Sequence, residues 1–128
     1  SVLEAVIERL AATTALTDIL GSKIYTHIPQ PTTLPYCRLT ISGAPDDTFN
    51  ASEFAYSLQV QVFSLSHKQA IDGKQAVHDA LHRQASNLSM PSGSIVSIES
   101  GSTDVFLESD GATWQGIVSF TVSTAPTS

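Results

Sequence analysis

His78 and His82 stand four residues apart, a spacing that puts two imidazoles on one face of a helix, where they could clasp one metal ion. The zinc-protease signature places a glutamate directly after the first histidine; Asp79 occupies that position, and no third ligand follows. His27 sits in an irregular stretch with no second His, Cys or carboxylate at ligand spacing. Cys37 is the single cysteine, which excludes an internal disulfide. It runs in phase with Leu39 and Ile41, the pattern of a buried thiol, and no histidine is placed beside it to make it a nucleophile. Asp46, Asp47 and Glu53 gather hard oxygen ligands in one loop, but the Asp-x-Asp-x-Asp-Gly alternation that wraps calcium is missing. These residue types form no triad and no metal pattern. The expectation is a chain with no catalytic residue, no metal ligand and no cofactor.

Charge narrows the class further. Twelve acidic residues stand against six basic ones, a formal net charge of -6. Arg9, Lys23, Arg38, Lys68, Lys74 and Arg83 are scattered, so no basic cluster grips phosphates. Charged residues make up 14%, against about 25% in an ordinary soluble domain. A charge-poor surface is less costly to desolvate, which suits a surface covered by partners. No apolar run approaches the roughly 20 residues that cross a bilayer, and no signal peptide is recognised, so a soluble chain kept in a cytoplasm is expected. The 128 residues suit one domain, 1–128, able to bury about two thirds of its unfolded surface.

The elements that must position these residues follow from periodicity. Phe54 to Phe63 alternates: Phe54, Tyr56, Leu58, Val60 and Val62 on one face, Ser57, Gln59 and Gln61 on the other, the mark of a half-buried strand. It leads into a helix whose capping box is Ser66 and Gln69 and whose buried stripe is Ala70, Ile71, Val77, Ala80 and Leu81, ending near Arg83. Gly73 lowers helix propensity and allows a close approach to the sheet. Upstream, Ser1 to Thr13 is an amphipathic helix with Val2, Leu3, Val6, Ile7 and Leu10 inward; Leu16 to Leu20 adds a short turn closed by Gly21. Pro29, Pro31 and Pro35 forbid a helix after Lys23 and leave room for a short edge strand at Ile24–Ile28. Tyr36 to Ile41 is a strand. Ser42 to Glu53 breaks every pattern and forms a loop long for a hairpin, whose Asp46, Asp47, Thr48, Phe49, Asn50 and Glu53 are candidate partner contacts.

Downstream, Ile95 to Leu107 is extended with an interruption at Ser100-Gly101-Ser102, and Asp110-Gly111 is a hairpin turn. Folding about it pairs Leu107 with Trp114 and Val105 with Gly116, with Trp114, Val118, Phe120 and Val122 sharing their buried face. The predicted fold class is α+β: a largely antiparallel sheet of about four strands with two helices packed on one face. The opposite face carries Arg38, Thr40, Ser57, Gln59, Gln61, Gln115, Ile117, Ser119 and Thr121. Polar and almost uncharged, with Gln59, Gln61, Gln115 and Ile117 at its centre, it is a candidate subunit interface.

Lys23-Ile-Tyr-Thr-His-Ile-Pro-Gln-Pro-Thr-Thr-Leu-Pro-Tyr36 resembles the "(R/K)-I-Y-x-x-(V/I)-P-Q … L-P-Y" segment of small tailed-phage tail completion, or tail terminator, proteins. The Leu58-Gln-Val-Gln-Val-Phe-Ser64 strand, the helix ending near Ala80-Leu81 and the Asp110-Gly-Ala-Thr-Trp-Gln-Gly-Ile-Val-Ser-Phe120 hairpin follow in the same order. Cys37-Arg38 departs from the expected pair of an apolar and a small residue. The resemblance implies a structural protein, not an enzyme. Its partners would be copies of itself in a ring, typically sixfold, the major tail tube protein and the head–tail connector or stopper. Such a ring sits at the head-proximal end of the virion tail, assembled in the cytoplasm of the bacterial host, of a phage, a prophage or a gene transfer particle. DNA only passes through its lumen, and no membrane is involved. A lumen that lets DNA slide is expected to be neutral or negative. A capsid-side connector or neck protein, a small hydrolytic or ligand-binding α+β domain, and a monomeric cytoplasmic regulator are the other readings.

Overall fold

A computed structural model describes residues 2–28, 33–42, 54–85, 88 and 94–125. Two helices open the chain, α1 (Val2–Ala11) and α2 (Thr14–Leu20), followed by the two-residue strand β1 (Ile24–Tyr25). Then come β2 (Tyr36–Ser42), β3 (Phe54–Ser64), α3 (His67–Leu81), β4 (Ser94–Leu107) and β5 (Trp114–Ala125). The strands form one five-stranded sheet in the order β1-β2-β3-β5-β4, antiparallel except for the parallel pair β1–β2. The α+β class stands, with three helices in place of two and five strands in place of four among the described residues. The additions are the stretches that sequence marked only as a turn and as a short edge segment: Gly21 closes α2 with φ 66, and Ile24 and Tyr25 pair with Cys37 and Arg38.

The alternation in β3 becomes the centre of the core. Leu58, Val60 and Val62 lie opposite Phe120, Val118 and Gly116 of β5 on one side and Ile41, Leu39 and Cys37 of β2 on the other. Apart from half-buried Ile41, this whole face is sealed beneath the helices, together with Val6, Leu10, Leu16 and Leu20. Each fully buried Leu or Val contributes about 1.5–3 kcal/mol from area removed from water. A free end of α3 is secured as the sequence spacing implies: the Ser66 hydroxyl accepts from Gln69 N–H at 3.1 Å, and Gln69 Oε1 accepts from Leu65 N–H. Arg9 Nε donates to Ala80 O at 3.0 Å, tying α1 to the last turn of α3.

Two inward assignments shift. Ile71 is 39% exposed, while Gly73 and Ala76 are buried. Gly73 sits over Val62, so the helix rolls until its glycine faces the sheet, which turns Ile71, two residues earlier, away from it. Leu107 pairs with Trp114 and Val105 with Gly116, as the turn demands, but Leu107 is 45% exposed. His67, at the start of α3, packs on Trp114 with the rings tilted and their centroids 4.8 Å apart; Leu107, one strand further out, is left partly open. The Ser100–Ser102 interruption is a register shift between Ser100 and Thr103 within one continuous strand. In the β4–β5 turn the Asp110 carboxylate accepts from Ala112 N–H, Thr113 N–H and the Thr113 hydroxyl. The Thr113 amide first, and then the others, hold its pKa below the usual carboxylate value. The stability this lends is present above the unfolded carboxylate pKa and lost as pH falls through the lowered one.

Candidate functional site

All three helices lie on one side of the sheet, and strand alternation turns every second side chain to the other, open side. The registers put these outward residues into cross-strand rows. One row reads Tyr25, Arg38, Gln61, Ile117, Asp104 across β1, β2, β3, β5 and β4. The next reads Tyr36, Phe63, Gln115, Phe106, and a third Thr40, Gln59, Ser119. Gln59, Gln61 and Ile117 are half-buried on this face, as the alternation predicts. Thr40, Ser57 and Thr121 are exposed. The surface is a polar, weakly charged plate with an aromatic band at one end.

Arg38 is the fixed cation of this plate. Its Nε and Nη2 both donate to Gln61 Oε1, at 2.9 and 2.6 Å, and its guanidinium lies 5.7 Å from the Phe63 ring centroid. Phe63 in turn packs on Tyr36 at 5.1 Å. A hollow of about 280 Å³ opens beside this pair, lined by Tyr36, Phe63, Glu108, Ser109, Asp110 and Thr113. A second, of about 360 Å³, lies at the far end among Thr40, Gln59, Gly101, Ser102, Ser119 and Thr121. Neither gathers an acid, a base and a nucleophile.

Gln115 belongs to the open face by register but is buried, 4% exposed, between Phe63 and Phe106. Its Nε2 has no hydrogen-bond partner among the described residues. An unpaired buried amide carries a desolvation cost. Gln115→Leu is therefore expected to raise stability by about 1–2 kcal/mol, read as a higher urea midpoint at unchanged slope; a lower midpoint would show that the amide is bonded in solution.

The loop residues Asp46, Asp47, Thr48, Phe49, Asn50 and Glu53 lie outside the described residues. Cys37 is fully buried, and burial pushes its thiol up to about 12, although a backbone hydrogen bond at Tyr25 opposes the shift. A thiol so held is no nucleophile at neutral pH. His78 and His82 stack at 4.8 Å with their planes 23° apart, and His82 Nδ1 accepts from Ser100 N–H at 3.0 Å. That bond commits the ring to bracing β4. Among the described residues no group of three or more His, Cys, Asp or Glu could hold a metal ion. Tyr25, Tyr36 and Phe63 were not legible as neighbours of the predicted face residues, because their rows depend on register between strands distant in sequence. Phe106 and Asp104 stand opposite Gln115 and Ile117 in the hairpin whose register the turn sets, and that register is the signal that could have found them.

Three comparisons with known proteins bear on this arrangement. The family model for tail completion protein gp17 matches residues 4–125. No curated protein matches the sequence. Among solved structures, a chain from the virion of a native gene transfer agent (GTA) particle superposes with a TM-score of 0.78 at 20% identity, covering 95% of this chain and 92% of that one. At that identity the likeness is one of fold.

Proposed function

This chain belongs to the tail completion protein gp17 family, and from that premise we propose that it is a structural tail protein that forms a ring at the head-proximal end of the tail tube. The ring ends tube polymerisation and presents the surface that joins the tail to the head's connector, and DNA passes through it without being gripped. The observation that carries this reading is the open sheet face: a plate of Thr, Ser and Gln side chains, low in charge, with no helix above it among the described residues. Such a face can be covered by a partner without stranding unpaired ions. A ring needs two different patches per copy that meet head to tail and close on themselves. A single sheet with helices on one side only offers two distinct edges and one free face for that purpose. Partners of this module are then further copies of the chain, the tube and the connector. The gene transfer agent virion that supplies a neighbour in fold is consistent with a particle of that kind or of a phage.

Electron microscopy of particles made without this protein tests the reading. Overlong tubes, or finished tails that fail to join heads, are expected. Normal-length joined tails with heads that leak their DNA would transfer the role to a capsid-side neck protein.

A further inference from the structure

We infer that neighbouring copies meet edge to edge through side chains on the open face, with Asp104 of one copy seated on Arg38 and Tyr25 of the next. This inference rests on the ring reading above and specifies the contact that would close it.

Arg38 and Asp104 stand in one cross-strand row, Arg38 near the β1 edge and Asp104 on the β4 edge, with the neutral Gln61 and Ile117 between them. The row thus has a positive end and a negative end, the polarity that head-to-tail association requires. Four of the other cations are engaged locally: Lys68 pairs with Asp72 and Arg83 with Glu99, while Arg9 donates to Ala80 O and Lys23 to Thr33 O. Arg38 too is held by a neutral group, the Gln61 amide, and it stands on the open face, so its charge is positioned there but not neutralised. Asp104 is exposed, and its Oδ1 accepts from Val105 N–H at 2.8 Å. That bond orients the carboxylate and leaves Oδ2 without a partner among the described residues. Tyr25 is half-buried and level with Arg38 in the parallel pair, at the β1 end of the same row. In the adjacent row Tyr36 lies toward the β1 edge and Phe106 on the β4 edge. The same head-to-tail shift brings these rings toward each other, adding apolar contact of the kind that anchors interfaces.

Strand addition, the other way for sheets to join, is blocked at the β4 edge. Ile98 O accepts from Arg83 N–H at 2.8 Å, Ser100 N–H is taken by His82 Nδ1 and Val105 N–H by Asp104 Oδ1. The bulge at Ser100–Thr103 breaks the remaining ladder. The opposite edge, β1, is two residues long. Neither edge can template a long backbone ladder, so the contact falls to side chains.

The test is a charge exchange read by native mass spectrometry, on the protein alone and with purified tail tubes. Asp104→Arg and Arg38→Asp are each expected to lower the ring population at least tenfold, because like charges then face each other at every contact. Mixed one to one, the two variants restore a ring of alternating copies, since every Arg then meets an Asp. Arg38→Ala serves in place of Arg38→Asp if circular dichroism shows the latter unfolded, and then gives partial restoration. Rings that form in both single variants as in the parent overturn the contact and leave the ring reading standing. A two-copy species that obeys the exchange rule overturns the head-to-tail form. No oligomer of the parent in either condition overturns the ring reading and this contact with it.

Discussion

Gly116→Ala is expected to destabilise the fold by about 2–3 kcal/mol, the upper part of the range for overpacking a tight core. For a chain of this length that lowers the melting temperature by roughly 8–12 °C. A Cβ at position 116 would lie 2.7 Å from Ala70 O and 3.2 Å from Lys74 Cβ. The first of these atoms is helix backbone, fixed by the turn it belongs to, and cannot step aside. Relief requires α3 to rise off β5, which opens the layer holding Val77, Ala80 and Leu81 against the sheet. Gly73→Ala is the internal control. Its Cβ would also lie at 2.7 Å, but from Val62 Cγ1, a side-chain methyl. Alanine there also recovers about 1 kcal/mol of helix propensity. Thermal unfolding should therefore rank Gly116→Ala well below Gly73→Ala. The reverse order would mean that α3 does not cross the sheet at Gly116.

Replacing residues 43–53 by a short glycine-containing turn is expected to leave a folded protein and abolish the joining of tails to heads. β2 and β3 pair from Tyr36↔Phe63 to Ser42↔Ser57, and β3 pairs with β5 along its whole length, so the sheet is specified without the connection. Shortening a loop lowers its closure entropy, by only about 0.6 kcal/mol per halving. A melting temperature within a few degrees of the parent would confirm that the fold is intact. We propose that the functional effect comes from Asp46, Asp47, Thr48, Phe49, Asn50 and Glu53, an acidic stretch with one aromatic residue. Complementation of a null strain measures it. Normal yields of joined particles from the trimmed protein would remove the loop from the docking surface.

The chemistry-bearing residues illustrate why spacing alone can mislead. The i, i+4 pair His78 and His82 does meet on one helix face, as its spacing requires. Tertiary structure then spends the pair on structure, because β4 passes close enough to offer Ser100 N–H to His82. Cys37 was readable as buried from its phase with Leu39 and Ile41, and it is.

The sequence by itself determined the elements and their inward faces. Period-two alternation in β3 and β5, helical spacing in α1 and α3, the Ser66 cap and the Asp110-Gly111 turn are local, and local chemistry suffices for them. The hairpin register followed as well, because a tight turn fixes which residues stand opposite. Tertiary structure alone decided how far each inward face is covered and which outward residues share a row. Ile71 and Leu107 emerged because the roll of α3 over Gly73 and the reach of the helical layer depend on backbone approach, a property of two elements together. Gln115 sank for a similar reason, flanked by Phe106 across the hairpin and by Phe63 from a strand far back in the chain. The row from Tyr25 to Asp104 joins residues nearly eighty positions apart, and no spacing rule along one chain can place them side by side.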